Sequence, residues 1–261
     1  MVKAVAVVTP ISVIIALSIL VIDLTRPLDF WKIMIYSNPR SVIAIGVILS
    51  NAYLLAMFSW LVLTFKGQLI ELGFTRFPLF TRLINLFIKV EKVIYISVAL
   101  IATALGMYTG FLLSALITYP MLNNPLLPIL FLFSGLSSAI AALILIAITV
   151  FKSPTDDQFV LRLHQFEKPI LISEAVILFA FFIGLIFGSA AKQEAVNAAI
   201  GGGFWFGVVG VGIVLPLSLT IFTKIQTQHV RSFMISITSL TLIGVLLLRH
   251  FILYAGQLTP T

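Results

Sequence analysis

The sequence predicts an all-α, polytopic transmembrane helix bundle, and three observations support this fold class. Hydrophobic residues make up 61% of the 261 residues and charged residues only 10%, far from the proportions of a water-soluble domain. The mean hydropathy is +1.18. The apolar residues fall in runs of about 20, the length that an α-helix needs to cross a bilayer. Helices are expected there because they pair all backbone polar groups internally.

Seven of these runs are predicted as membrane spans within one integral membrane domain, 1–261. The first run is too long for a cleavable signal and lacks a clean small-residue cleavage site, so it too is predicted as a span. The predicted bounds are 4–22, 41–65, 93–118, 127–151, 169–189, 203–223 and 233–254.

Lysine and arginine residues predict the orientation of the bundle. The predicted loops hold eleven of them on the side of the N-terminus and four on the opposite side (Arg26, Lys32, Arg40 and Lys192). Because basic residues accumulate in cytoplasmic loops, the N-terminus is predicted inside the cell and the C-terminus outside. The same signal explains the net charge of +7, so membrane lipid is expected as a partner and nucleic acid is not.

The cysteine and histidine content limits the cofactors that the protein itself can hold. Zero cysteines exclude a self-held iron–sulfur cluster, a thiolate metal site and a disulfide. His164 and His229 fall in predicted cytoplasmic loops and are interpreted as solvated side chains. His250 has no histidine partner at matching depth for a haem. No metal, haem or cluster is therefore predicted in this chain.

The link from Asp23 to Ser41 is the densest polar stretch between two apolar runs. Asp23 and Arg26 stand three residues apart where a helix is expected to surface. Pro27 and Pro39 interrupt any helix on either side. Two interpretations stay open: a loop that caps helices and anchors them at the interface, or a link that takes part in function.

Polar residues deep inside the spans mark a first candidate site. Small residues recur every four positions from Ala102 to Ser114, a pattern that allows close helix approach. Tyr108, two residues from both Gly106 and Gly110, points about 160° away from that stripe. Tyr108 and Asn51 are each predicted about 15 Å from the outer surface. Geometry alone leaves open whether Tyr108 faces a cavity or another helix.

Glu174 and Arg249 are the ionisable residues predicted inside spans. Glu174 is predicted one turn into the fifth span from the cytoplasm, and Arg249 one turn into the seventh from outside. Burying such groups in a membrane costs about 3 kcal/mol even on lenient scales, which makes them functional candidates. Both could instead snorkel to an interface and orient their helices. Because they lie near opposite faces, no direct pair is expected.

Six motifs follow one another in order along nearly the whole chain. They are Asp23-Leu-Thr-Arg-Pro-Leu-Asp-Phe-Trp; Asn38-Pro-Arg-Ser with Gly46; Gly106-Met-Tyr-Thr-Gly110; Asn124-Pro-Leu-Leu-Pro128 leading into Phe131 and Ser134-Gly135; Gly203-Phe-Trp-Phe-Gly207; and Leu248-Arg-His-Phe-Ile-Leu-Tyr-Ala-Gly-Gln257. No one motif is decisive, but in this order they resemble the NrfD/PsrC family, the membrane subunits of polysulfide-reductase-type and related respiratory complexes.

The resemblance implies an architecture and a set of partners. It implies two four-helix bundles, a first, quinone-site bundle at 1–151 and a second at 152–261. It also implies a quinone or quinol, menaquinone or a similar one, near the outer face of the cytoplasmic membrane of a prokaryote. A ferredoxin-like iron–sulfur subunit would dock there and relay electrons to a catalytic subunit, often a molybdopterin enzyme.

One departure from the family pattern concerns the first helix. The family has a further helix ahead of the first span, which typically supplies Asn and His to the quinone pocket, whereas Met1 here falls almost at the start of the family's second helix. Three explanations stay open: another chain supplies that helix, the sequence begins at an internal methionine, or the pocket is built differently.

The leading hypothesis is a quinone- or quinol-reactive membrane subunit, active only as part of a multi-subunit complex. The resemblance matches Tyr108 to the family's quinone-contacting tyrosine, with Asn51 as a second donor. Asp23, held ionised by Arg26, could exchange protons with the outside. Tyr108 and Asp23 are thus the candidate catalytic residues. In the second bundle, Glu174 and Arg249 are candidates for a proton path, with helix orientation as the alternative.

Two other functional classes stay open, a secondary transporter and a passive membrane anchor. A transporter would use the buried charges and glycine breaks as a substrate path, although no convincing internal repeat is visible. For the redox hypothesis, the outer links Asp23–Ser41 and Thr118–Pro125 are the predicted docking surface, because their aromatic residues suit an interface core. The cytoplasmic loops 66–92 and 152–168 are expected to stay free.

Overall fold

The computed structural model describes residues 2–22, 24, 26–36, 41–73, 78–199, 204–222 and 230–257. It confirms the predicted all-α fold class: these residues are mostly helical, and no strand occurs among them. The chain divides into two compact units, residues 1–105 and residues 106–261. The predicted bundles 1–151 and 152–261 stay a prediction.

Within the described residues, six helices are long and apolar enough to cross a membrane. They match six of the seven predicted spans. Their bounds are Val2–Ile22 (α1), Val42–Thr64 (α3), Glu91–Ser114 (α6), Leu127–Thr149 (α7), Gln158–Ile186 (α8) and Arg231–Gly256 (α11). The shorter α-helices are Phe30–Ile35 (α2), Lys66–Glu71 (α4), Pro78–Lys89 (α5), Ala190–Ala199 (α9) and Leu215–Phe222 (α10).

The remaining predicted span, 203–223, has a composite structure. A π-helix, Phe204–Val214 (π1), continues directly into α10. Gly212 of π1 is in close backbone contact with Gly244 of α11. A Cβ added to Gly212 would lie only 3.1 Å from the Cα of Gly244. Backbones approach this closely only where neither residue has a side chain.

In the first unit, α3 packs against α1, α2 and α5. Helix α1 is apolar on every side and leaves most of its side chains exposed, among them Ile14, Ile19 and Leu20. A helix that is apolar all round is either buried in protein or surrounded by lipid. The exposed side chains of α1 are therefore expected to face lipid.

The predicted loop between the second and third spans is largely helical, because it contains α4 and α5. Helix α5 is amphipathic: Leu79, Leu83 and Leu86 are exposed along its apolar side, and Arg82 and Lys89 lie on the adjacent polar side. The charges that suggested a loop therefore recur at helical spacing. A helix with this pattern suits the plane of the membrane interface.

In the second unit, α7 packs against α8 and α11. Two arginines of α11 bond to backbone carbonyls of α7 near its two ends. Arg231 Nη2 donates to the Ile148 oxygen (3.0 Å) and Arg249 Nη2 to the Phe131 oxygen (3.4 Å). The two helices are therefore antiparallel and fixed in register near both ends.

The link between α6 and α7 folds back into the second unit. Met121 and Leu122 are fully buried, Pro120 is buried and Tyr119 is half-buried against the core. A Cβ at Gly256 would lie 2.7 Å from Leu122 Cγ, so glycine leaves room for that leucine. Of the residues predicted for partner docking in this link, Pro120 and Tyr119 thus pack in the interior, whereas Pro125 is exposed.

Helix α8 begins eleven residues earlier than predicted. Asp157 caps it, since its Oδ1 accepts a hydrogen bond from the backbone N–H of Phe159 (3.0 Å). Pro169, the predicted first residue of this span, lies inside the helix. Glu174 is therefore about 24 Å from the start at Gln158 and near the middle of α8, and its predicted position one turn from an end is wrong.

Candidate functional site

Tyr108 lies on α6, on the face turned away from α7. Two glycines of the small-residue stripe approach α7 closely: a Cβ at Gly110 would lie 2.7 Å from the Leu127 oxygen, and one at Gly106 would lie 3.3 Å from Leu132 Cδ1, whereas Ala102 is exposed. Tyr108 is half-buried. No described residue forms a hydrogen bond with its hydroxyl, which is therefore available to a ligand.

Tyr108 is less deep in its helix than the sequence suggested. Helix α6 ends at Ser114, four residues before the predicted end, because the polypeptide turns there toward the buried link. Six residues separate Tyr108 from that end, or about 9 Å instead of the predicted 15 Å. At this depth, Tyr108 remains within reach of the polar headgroup of a ligand bound near the membrane surface.

Asn51 lies on α3, nine residues from its start and half-buried. Its Nδ2 donates to the Val47 oxygen one turn earlier (3.0 Å). Its Oδ1 accepts no hydrogen bond from the part of the protein that the structure describes. Asn51 is thus freer to accept a hydrogen bond than to donate one. Tyr108 and Asn51 belong to different units, and their joint site stays a prediction.

The predicted acid–base pair of the first link is only partly visible. Arg26 is exposed, and its carbonyl oxygen accepts from the Asp29 N–H (3.1 Å) at the start of a short 3-10 turn. Asp23 lies outside the described residues. Further along, Asp29 Oδ1 pairs with Lys32 Nζ at 2.8 Å.

A buried polar cluster joins α8 to α7. Glu174 is 3% exposed, and its Oε2 accepts a 2.7 Å hydrogen bond from Ser137 Oγ. The Ser134 hydroxyl, one turn away on α7, is also buried and lies beside the same carboxyl. The apolar interior of this unit therefore contains a carboxyl group with hydroxyl groups beside it.

Arg249 of α11 contacts the same part of α7. Its guanidinium carbon is 5.2 Å from the centre of the Phe131 ring, and its Nη2 bonds to the Phe131 oxygen. A Cβ at Gly135 would lie only 3.5 Å from Nη2, so a small residue there leaves room for the guanidinium. Arg249 Nε is buried without a partner among described residues.

Glu174 and Arg249 therefore lie near the same two turns of α7, from Phe131 to Ser137. The described residues show no direct ion pair between them, but the two opposite charges attract each other across the interior. The expectation that they lie near opposite faces is wrong, because α8 starts earlier than Pro169 and carries Glu174 to mid-helix.

Glu167 and His164 form a second polar pair that the sequence prediction missed. His164 Nδ1 lies 2.9 Å from Glu167 Oε2, and the Glu167 side chain is completely buried. The interpretation of His164 as a solvated loop residue is wrong, since it lies in α8. The sequence does contain a signal: His164 and Glu167 are one turn apart, and Glu174 follows Glu167 by two turns.

The other histidines give no sign of a metal site. His250 is exposed and stacks on Tyr254, with ring centres 6.1 Å apart, and His229 lies outside the described residues. Where side chains are described, no group of three or more His, Asp or Glu could hold a metal ion. The prediction of a protein without haem or cluster stays a prediction.

Comparison with known proteins gives a consistent set of relatives. The family model for polysulphide reductase, NrfD, matches residues 1–261. The protein NrfD of Escherichia coli is 42% identical over 264 aligned positions, covering 97% of this chain and 81% of that protein.

Two further relatives have similar coverage. The NrfD homologue of Haemophilus influenzae is 41% identical over 256 positions, covering 95% of this chain and 80% of the relative. The C subunit of the polysulfide reductase of Wolinella succinogenes is 36% identical over 261 positions, covering 98% and 82%. Together with the membrane-length helices, these matches identify an integral membrane protein.

Proposed function

Because this chain belongs to the polysulphide reductase NrfD family, we propose that it is the membrane subunit of a respiratory oxidoreductase complex. It exchanges electrons between the quinone pool and a docked ferredoxin-like iron–sulfur subunit, which passes them to or from a catalytic subunit of the molybdopterin type. One relative is named as a component of polysulfide reductase, which supports a role inside a multi-subunit reductase.

The position of Tyr108 is the observation that most directly supports the quinone assignment. A quinone headgroup is a flat apolar ring with two carbonyl groups, so its site needs apolar walls and a few polar contacts. Tyr108 offers a hydroxyl donor on an apolar helix, half-buried and unbonded within the described structure. The donor set therefore fits a quinone, menaquinone or a similar one.

Asn51 and the first link supply the remaining polar groups of this proposal. Asn51 Oδ1 can accept a hydrogen bond from a quinol hydroxyl, since its amide nitrogen already bonds to Val47. Asp23 is proposed to exchange protons with the outside, with Arg26 favouring its ionised form. A bound quinone would supply the electron and proton acceptor, while these residues hold its oxygens and exchange protons with water.

Replacing Tyr108 by phenylalanine tests the quinone site. The variant keeps the ring and loses only the hydroxyl, so the complex should assemble normally while quinol-coupled activity falls by about 10-fold or more, the loss expected for one charge-stabilising or proton-donating contact. The measurement is quinol oxidation by the assembled complex, with the artificial-donor activity of the catalytic subunit as reference.

Tyr95→Phe is the matched control, because Tyr95 lies on the same helix and its hydroxyl bonds to Glu91 (3.1 Å) and to no other described residue. It should leave quinol-coupled activity unchanged. Equal activities of the Tyr108 and Tyr95 variants would remove Tyr108 from the site. A complex that is also insensitive to quinone-site inhibitors would favour a passive anchor over a quinone-reactive subunit.

The docking surface of the iron–sulfur partner is proposed on the first link. Apolar side chains are exposed there without cover: Leu28 is 90% exposed and Tyr36 78%, with Phe30 and Trp31 less so. Aromatic residues of this kind are enriched at protein interfaces. Since the second link folds inward, the first link carries most of the predicted surface.

Cross-linking tests this placement. Lys32, Lys89 and Lys152 are all exposed, so a lysine-directed reagent can reach each of them. A variant in which Lys32 is the one lysine left in the chain should capture the iron–sulfur subunit. Variants that keep only Lys89 or Lys152 should not, because the proposed topology puts both on the cytoplasmic side. Partner capture through Lys89 or Lys152 alone would overturn the topology and the docking site together.

The second unit is proposed to move protons. Glu174 and Arg249 are charged groups in an apolar interior, and hydroxyl groups lie beside the Glu174 carboxyl. Such groups can pass protons if water joins them. The alternative is that both residues only orient their helices, in which case replacing Glu174 would leave proton movement unchanged.

A further inference from the structure

Glu167 is a buried acid to which the proposed quinone chemistry gives no role. Its side chain is completely buried, and its Oε2 lies 2.9 Å from His164 Nδ1. Its other oxygen, Oε1, is buried and has no hydrogen-bond partner among the described residues. A carboxyl group with one oxygen in contact with an imidazole and one open oxygen can still bind a proton.

Glu167 shares the inward face of α8 with Glu174. The two residues are seven positions apart, which brings them onto nearly the same face two turns apart, or about 10.5 Å along the axis. Leu171 is 2% exposed and stands between them on that face. The arrangement is therefore acid, apolar side chain, acid along one buried stripe.

The elements around α8 bring few competing charges to this stripe. Helices α7 and α10 contain no ionisable residue. Helix α9 carries Lys192 and Glu194 beside the opposite, C-terminal end of α8. On α11, Arg231 bonds to a carbonyl of α7 and Arg249 interacts with Glu174. Within the described structure, His164 is therefore the one ionisable group in contact with Glu167.

A purely structural role does not account for this geometry. A buried ion pair is stabilising only when its remaining polar atoms are also hydrogen-bonded, because every unsatisfied charged oxygen costs desolvation free energy. Glu167 leaves one oxygen open, and the buried Ser134 hydroxyl lies beside the Glu174 carboxyl. An open carboxyl oxygen, with a hydroxyl beside the next acid, is expected where protons pass.

We propose that Glu167, with His164 as its partner, is a proton-binding site placed in series with Glu174 along α8. His164 is 11% exposed and receives a proton from water near the start of the helix. The proton moves from His164 Nδ1 to Glu167 Oε2, which leaves a neutral imidazole and a neutral carboxylic acid. Water that enters beside Leu171 then carries it to the Glu174 carboxylate, and no electron is transferred.

Infrared titration of the full-length protein in lipid nanodiscs tests the site without any quinone chemistry. In wild type, carboxylic acid bands from apolar environments should appear and disappear with pH, one from Glu167 and one from Glu174. Glu167→Gln should remove the first band and keep the second, and Glu174→Gln should do the reverse. His164→Gln should keep the Glu167 band but shift its frequency, because the contact between the imidazole and Glu167 Oε2 is lost.

Glu194→Gln is the control, since Glu194 is exposed on α9. It should remove an ordinary, solvent-type carboxyl band and leave the Glu167 band unchanged. If Glu167→Gln fails to fold, Glu167→Asp keeps the acid and should keep a displaced titrating band. Identical titrations for wild type and the folded Glu167 variants would show a fixed ion pair and overturn the proposal.

A second measurement tests the position in series, and it depends on the function proposed above. In proteoliposomes with the assembled complex, Glu167→Gln should lower the number of protons moved per electron pair as much as Glu174→Gln does. A titrating band combined with unchanged proton movement would overturn the serial arrangement. If the complex oxidises no quinol at all, the quinone assignment fails while the infrared result still decides the proton site.

Discussion

Gly244→Ala is expected to destabilise the protein by about 3 kcal/mol or more and to reduce the amount of folded subunit recovered from membranes. The added Cβ would lie 2.6 Å from the Gly212 oxygen and 2.9 Å from its carbonyl carbon. Neither atom is the end of a flexible side chain, so α11 and π1 must separate. Overpacking of a filled interior usually costs about 1–3 kcal/mol, and contact with backbone places this site at the upper end.

Gly110→Ala should have a comparable effect at a separate contact, because its Cβ would meet the Leu127 oxygen and the Pro128 nitrogen, each at 2.7 Å. Gly184→Ala is the control, since no atom of a neighbouring residue lies within 4 Å of its added Cβ. Within α8 this alanine should be neutral or stabilising by about 0.5–1 kcal/mol.

Detergent-solubilised variants can be compared by the midpoint of thermal unfolding and by the yield of monodisperse protein. The unfolding midpoint of Gly184→Ala is expected at or above that of wild type. The midpoints of Gly244→Ala and Gly110→Ala are expected clearly below it. Equal midpoints for all three variants would mean that neither glycine contact exists in the membrane.

Arg249→Met is expected to cost about 1–3 kcal/mol, because it removes the half-buried guanidinium whose charge compensates the buried Glu174 carboxyl. Glu174→Gln should cost less, since glutamine can still accept the hydrogen bond from Ser137. The double variant should be more stable than the sum of the two losses predicts. A coupling of at least about 1 kcal/mol is expected for groups that interact across a shared interior.

The coupling is measured by unfolding all four proteins in mixed micelles with increasing sodium dodecyl sulfate. The exposed pair Asp29 and Lys32, 2.8 Å apart, is the control cycle and should give a coupling below about 1 kcal/mol. If the losses of stability in the Glu174 and Arg249 variants are additive, the two charges do not interact.

The same variants separate a proton path from a structural role. If Glu174 carries protons, Glu174→Gln should lower the number of protons moved per electron pair in the assembled complex while electron transfer continues. Normal assembly with unchanged proton movement would leave only helix orientation as the role of this residue.

The hydrophobic runs were enough to predict most of the fold, because a bilayer imposes both helix and length. The clearest error concerns α8. A proline can occupy the first turn of a helix or interrupt its interior, and the apolar pattern favoured the first interpretation of Pro169. Because Asp157 caps the helix, Pro169 lies in its interior. The residues between Asp157 and Pro169 complete the helix, and its buried face contains Glu167.

The candidate site was less accessible to prediction, because its contacts join distant positions. Ser137 and Glu174 are 37 residues apart, and Phe131 and Arg249 are 118 apart. No local pattern links such residues. The polar residues themselves could be picked out by their cost of burial, but their neighbours could not. Tyr108 was picked out as a polar residue inside a span, and its role came from the resemblance. The structure adds the face of α6 on which it lies and a hydroxyl without a hydrogen-bond partner among the described residues.

Pro169 also has a mechanical consequence for the second unit. Helices α7 and α11 form a rigid frame, because Arg231 and Arg249 tie them together near both ends. Helix α8 has a built-in hinge instead: proline provides no N–H for the carbonyl of Gln165 and strains the turn before it. Glu167 and Glu174 stand on opposite arms of this hinge. A small bend in α8 alone would therefore change the distance between the two acids while the frame stays still.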